Sequence, residues 1–212
     1  MRGLREAAVA LLLLVPGTLA GQDWGVSWLP TLRPAANEFP FISLFVDYSV
    51  PADYYAPFIS NGALTASAGV SFKGSWFATA RFRAPGLAPG WRFDAFLVAM
   101  EEKRFGYYGI GNETTFDRDL ADRETNFYRV QRRRFIAQAE VTRSLVGPLG
   151  ASLGLRAQYN DFEALDGVSL FLIDFGGGTV WERDASARLS LIVDTRDTEY
   201  NSRKGIFVEA GG

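Results

Sequence analysis

Asp194, Thr195, Arg196 and Asp197 bring three ionisable side chains into four consecutive residues, and Gly205 follows eight residues after Asp197. Two carboxylates flanking a guanidinium can share charge-assisted hydrogen bonds with each other and with turn amides, fixing strand register where a chain reverses. Gly205 admits a backbone angle that other residues resist. This is structural chemistry rather than catalysis. With 0 His and 0 Cys, the chain has no imidazole acid or base, no thiol nucleophile, no disulfide and no Cys/His zinc site. The run Tyr108-Gly109-Ile110-Gly111-Asn112 suggests strand bending and close backbone approach. Phosphate binding would need a helix N-terminus directly after it, and no such pattern follows. Arg132-Arg133-Arg134 has the charge to meet lipopolysaccharide or nucleic-acid phosphates, but reads as a solvated outer strand end. Asn112-Glu113-Thr114 matches a glycosylation sequon on three residues alone. No catalytic residue, cofactor or metal ligand is expected.

The elements that must position these residues are strands. Leu64, Ala66, Ala68, Val70 and Phe72 alternate with Thr65, Ser67, Gly69 and Ser71, a period-two pattern with one apolar and one small polar face. Trp76, Ala78, Ala80 and Phe82 continue it, followed by Trp91, Phe93, Ala95, Leu97 and Ala99. Phe135, Ala137, Ala139 and Val141 oppose Gln138, Glu140 and Thr142. Ala151, Leu153, Leu155, Ala157 and Tyr159 oppose Ser152, Gly154, Arg156 and Gln158. Ala187, Leu189, Leu191 and Val193 form the next row, and a last strand begins with Ile206, Val208 and Ala210. About seven strands thus follow Gly62. Residues 21–62 are expected to be a Pro-rich segment with one short strand over 41–49, because Pro30, Pro34, Pro40, Pro51 and Pro57 withhold backbone donors.

The first 20 residues read as a cleaved signal peptide. Arg2 and Arg5 precede an apolar run over 7–15, Pro16 and Gly17 interrupt it, and Thr18-Leu19-Ala20 offers small residues for cleavage. The net charge of −2 leaves no concentrated basic face for nucleic acid. No apolar run beyond the leader approaches the ~20 residues of a membrane-spanning helix.

A soluble sandwich and a transmembrane barrel both use such strands. The interior of a sandwich needs dense Val, Ile and Leu, whereas the apolar face here is rich in Ala. A barrel's outer face has only to suit lipid, while its inner face takes Arg, Glu, Gln and Ser. Links over 85–90, 146–150 and 195–204 are short, and those over 101–126 and 163–184 are long and polar, as expected for periplasmic turns and extracellular loops. The 73–75 link is a tight turn on the outer side. The expected fold is therefore all-β, an antiparallel up-and-down transmembrane β-barrel in the bacterial outer membrane, over residues 63–212.

These motifs resemble the BamA/TamA-type outer-membrane assembly barrels, the bacterial surface antigen family, over roughly residues 39–212. Phe105-Gly106-Tyr107-Tyr108-Gly109-Ile110-Gly111-Asn112 is similar to the family's aromatic strand-end segment. Asp194-Thr195-Arg196-Asp197 with Gly205 is similar to its turn motif, and Ser202 stands where the family usually has proline. The order of Phe39-Pro40, a first strand near Leu64, a hairpin and the two motifs also matches. The resemblance implies a barrel of about 16 strands, of which this chain carries about seven, so it is expected to be the N-terminal part of a longer barrel without the family's periplasmic POTRA repeats. An oligomeric barrel is the alternative to a longer frame. The implied function is non-enzymatic: outer-membrane protein assembly, or translocation of protein or lipid-like substrates. The implied partners are outer-membrane lipids and other outer-membrane or periplasmic proteins. A passive pore or structural surface barrel is the alternative, and an outer-membrane hydrolase is disfavoured by the absence of His.

Overall fold

The computed structural model describes residues 24–33, 40–53, 56–111, 114–199 and 201–212. Among them, nine strands form one sheet in sequence order: β1 Gly25–Arg33, β2 Phe41–Pro51, β3 Ser60–Ser71, β4 Trp76–Ala88, β5 Trp91–Gly106, β6 Arg129–Val146, β7 Leu149–Ala164, β8 Thr179–Asp194 and β9 Phe207–Gly211. Every neighbouring pair is antiparallel. Two short helices, α1 Arg118–Arg123 and α2 Leu170–Phe175, interrupt the long β5–β6 and β7–β8 connections. No helix among the described residues is long and apolar enough to cross a membrane. The proposed signal peptide, Phe39 and Asn112 lie outside the described residues.

The seven strands expected after Gly62 are β3 to β9. The Pro-rich segment departs from expectation, because it contributes two strands, β1 and β2, to the same sheet rather than one short strand. β2 pairs with β3 from Phe41↔Ser71 to Pro51↔Ser60, so the sheet runs through the proposed boundary at residue 62. The prolines are accommodated where no ladder donor is required. Pro30 lies on edge strand β1, which has a single neighbour, and Pro51 sits at the irregular end of β2. Tight links close the hairpins at one end. Gly90, at φ 71°, turns β4 into β5 where a side chain would be strained.

Cross-strand partners share a face, so the register sorts every side chain to one side of the sheet. One face carries the row Trp28, Val46, Ala66, Ala80, Leu97, Ala137, Ala157 and Ala185. The row beside it on the other face runs Asp47, Thr65, Arg81, Phe96, Gln138, Arg156 and Ser186. Burial is inverted relative to a water-facing sheet. On the apolar face Val70, Leu155, Leu189 and Leu191 are 55–66% exposed, while Ser43, Ser67, Ser152 and Ser190 on the polar face are 2–6% exposed.

The polar face is the concave one. The β2–β3 connection meets the β8–β9 connection, with Glu199 N donating to Pro57 O at 2.7 Å. The Glu199 carboxylate also reaches Arg83 of β4 and Arg92 of β5. A residue attached to β8 can touch all three only if the intervening strands curl around it. Phe77 reinforces the curl near β3. It is 8% exposed and lies over Gly69, where an added Cβ would sit 2.7 Å from its ring.

Candidate functional site

The turn motif is built almost entirely from local contacts. Arg196 donates from Nε and Nη2 to the two oxygens of Asp194, each at 2.9 Å, and its guanidinium lies 4.5 Å from the Phe207 ring centroid. A bidentate pair of this kind fixes the angle at which β8 ends. Arg196 Nη1 also donates to Glu199 O at 2.9 Å, and the hydrogen bonds to Asp194 hold the Arg196 guanidinium above its ordinary pKa. Thr195 N donates to Ile206 O and Ile206 N donates to Thr195 Oγ, both at 2.9 Å, which closes the base of the connection.

Asp197 is the centre of the turn. Its Oδ1 accepts from Ser202 Oγ at 2.9 Å, from Thr198 N and Arg203 N at 3.0 Å, and from Lys204 N at 3.3 Å. The Ser202 hydroxyl, followed by the backbone amides, brings the Asp197 carboxyl down to about 2. Ser202, at the position where proline was expected, thus supplies a donor that proline lacks. Gly205 has φ 96°, and a Cβ there would overlap the Thr195 carbonyl oxygen. Only glycine fits both the angle and the space.

This connection does not project from the sheet as a simple hairpin. It folds across the concave face, where Arg196, Thr198 and Glu199 line a cavity of about 450 Å³ together with Arg83, Arg92 and Glu140. The floor is ionic. Arg81 and Arg83 both pair with Asp94, at 2.8 and 3.3 Å, and Glu209 pairs at 2.8 Å with Arg188, which lies outside the lining. Sequence reasoning did not single out Glu199. Its hydrogen-bond partner Arg92 is 107 residues away, and no local spacing signals the contact.

The aromatic segment lies at the opposite end of the sheet and forms no part of this cavity. Tyr107 N donates to Tyr128 O at 2.9 Å, and Tyr107 OH donates to Asp174 Oδ2 at 2.6 Å, tying the β5–β6 connection to the end of α2. Burial, and then the Asp174 carboxylate, push the Tyr107 hydroxyl pKa up. Tyr108 stacks on Tyr128 at 5.8 Å and meets Phe116 edge-on. Gly109 and Gly111 have φ 91° and 92°, so the glycines turn the chain away from the strand after Gly106. Asp117 and Ser169 cap α1 and α2 by accepting from Leu120 N and Leu172 N. Leu170 N donates to Phe127 O, which joins the two long connections into one layer.

Arg132-Arg133-Arg134 is not a solvated strand end. All three residues lie inside β6, and alternation sends them to different faces. Arg132 is 8% exposed, stacks 3.5 Å from the Phe105 centroid and pairs with Glu102. Arg133 pairs with Glu163 at 2.6 Å on the apolar-row face, and Arg134 donates to Asn160 at 3.0 Å. Strands β5 and β6 therefore continue well past the residues that the apolar pattern marked, because the charges of one strand neutralise those of the next.

On the convex face this change of side chains defines a band. The rows from Trp91 to Ala99 are apolar, and the next row brings Trp76, Glu101, Arg133 and Asp161. Ten residues at ~3.3 Å each make a band about 33 Å long measured along the strands. Aromatic rings stand at both margins: Trp91 and Phe93 at one, Phe135 and Tyr159 at the other. No family model, curated protein or solved structure matches the chain.

Proposed function

We propose that this chain is the N-terminal part of an outer-membrane β-barrel of the BamA/TamA type, a non-enzymatic protein acting in outer-membrane protein assembly or in translocation of protein or lipid-like substrates. One observation carries the barrel: large apolar side chains are exposed on the convex face while serines and ion pairs line the concave one. Lipid is the solvent that makes this arrangement favourable, because it accepts the apolar rows and leaves the ion pairs on the opposite side of the sheet. Tilted by ~40° as barrel strands are, the band would stand about 25 Å tall, and its aromatic margins support the same environment. The Asp194 to Gly205 turn and the Tyr108 to Gly111 segment support the family assignment by their resemblance.

In this proposal, residues 1–20 direct export and are removed, and the outer membrane supplies the lipid partner. The test is expression of the whole reading frame from Met1 in a Gram-negative host. The mature chain is expected in the outer-membrane fraction, starting near Gly21 by N-terminal sequencing and migrating differently in gels before and after boiling. Recovery in the soluble periplasmic fraction would overturn the barrel. The assembly role is tested by adding an unfolded outer-membrane protein to vesicles that contain the purified protein. Faster insertion than into empty vesicles supports that role, and ion conductance without faster insertion supports the passive pore instead.

A further inference from the structure

We propose that Glu199 is an ionic latch that holds the β8–β9 connection closed across the concave face. The latch rests on contacts from three directions. Arg92 Nη1 approaches Glu199 Oε1 at 3.0 Å, Arg83 Nη2 approaches it at 3.5 Å, and Glu199 N donates to Pro57 O at 2.7 Å. The Glu199 side chain is 22% exposed, so its charge is partly withdrawn from water and faces two guanidiniums on adjacent strands. Among the described residues, the other hydrogen bonds that shape this connection are internal to it: Arg196 on Asp194, Asp197 on its own amides, and Thr195 on Ile206. The turn is therefore a preformed unit fastened to the sheet through Glu199 and Pro57.

Such a unit can swing without unfolding. Breaking the contacts of Glu199 leaves the Asp197 ring and the Arg196–Asp194 pair intact, while Arg83 keeps Asp94 as a partner at 3.3 Å. Arg92 gives up its pair with Glu199 in the open state, but its side chain is 37% exposed, so water replaces the carboxylate and the closure stays reversible. Thr198 reports the closed state. Its hydroxyl is buried without a hydrogen-bond partner beside the cavity, so it gains water when the turn lifts. The latch concerns the concave face alone and does not depend on which substrate, if any, passes it.

The experiment uses the natural absence of cysteine. Thr198→Cys in the full chain, folded in detergent micelles, is reacted with a membrane-impermeant maleimide. The labelling rate is expected to rise about five- to tenfold when Glu199→Gln is added, the effect of losing two partly exposed ion pairs. In the Thr198→Cys chain alone, the rate is expected to rise as salt increases to ~1 M, where screening extends to about 3 Å, and to stay flat when Glu199→Gln is present. Equal rates with and without Glu199→Gln, or a salt response that persists with it, would overturn the latch. The salt series needs no change at Glu199, so a folding defect in that variant leaves the proposal decidable.

Discussion

Replacing Ala139 by Arg separates a lipid-facing convex surface from a water-facing one. Ala139 stands on β6 between Ala95 of β5 and Leu155 of β7, in the middle of the outward rows that run from Trp91 to Ala99. It is exposed, and Leu155 beside it is 55% exposed. In water, a charge at such a position changes stability by no more than about 0.5 kcal/mol. At the midplane of a bilayer, an outward Arg on a barrel strand costs about 2–4 kcal/mol. That is about 30- to 900-fold in the folding equilibrium. Gln138, one residue earlier, points to the concave face between Phe96 and Arg156. Gln138→Arg therefore places a like charge opposite Arg156, at a cost of no more than about 1 kcal/mol. The full chain and both variants are refolded into lipid vesicles and titrated with urea, and tryptophan emission follows unfolding. The expected order is parent, Gln138→Arg, Ala139→Arg, with at least about 1 kcal/mol between the variants. The reasoning fails if Ala139→Arg matches the parent, or if Gln138→Arg is the costlier change.

Gly205→Ala adds a Cβ onto the Thr195 carbonyl at φ 96° and is expected to lower stability by about 1–3 kcal/mol in the same titration. Gly111→Ala, at φ 92° with nothing near its Cβ, should cost less. Arg132→Ala strands Glu102 against the concave wall and should cost about 3 kcal/mol, whereas Arg132→Met combined with Glu102→Leu should recover most of that loss. The Asp197 carboxyl, held at about 2 when folded, lies below its unfolded value of ~3.9. Its contribution is complete above the unfolded value and is lost as pH falls toward 2. Pepsin cleavage within the β8–β9 connection should therefore accelerate as pH drops from ~4 to ~2 in the parent, and show no such step in Asp197→Asn.

The strands after Gly62 were legible because alternation is a local signal that survives without knowledge of partners. β7 was visible over 151–160 and runs over Leu149–Ala164. Its extra residues, Asp161, Phe162, Glu163 and Ala164, look like loop when read alone, and become strand because Arg133 pairs with Asp161 and Glu163. The same holds for Glu101 and Glu102 on β5. Complementary charges support a ladder only once the register is known, and the register is not a local property. β1 was missed because Pro30 breaks the usual strand signal, and its place at an edge, where a missing donor costs nothing, is a fact of the whole sheet. The Asp194 to Gly205 chemistry was legible because its internal bonds span at most 11 residues. Glu199 was not, since its meaning depends on Arg83 and Arg92 arriving from another part of the sheet.

Curvature ties these features to the solvent each face meets. A flat sheet with one Ala-rich face and one Ser- and Arg-rich face would be ambiguous, because a second layer can cover either. Here Glu199 and Pro57 join elements across the polar side, so the open sheet curls with that side inward and the apolar side outward. Along the row through Ala66, Ala80, Ala137, Ala157 and Ala185, a second protein layer would gain only one methyl group per position, although Leu153, Leu155, Leu189 and Leu191 stand exposed in the rows beside it. Lipid makes no demand for interlocking shape. Small side chains interspersed with Leu and Val, with Trp91 and Tyr159 at the margins, satisfy a bilayer that a packed core of the same composition would not. In the proposed reading, the sequence feature that favours barrel over sandwich, alanine where a core would need leucine, is the local trace of a surface that meets lipid.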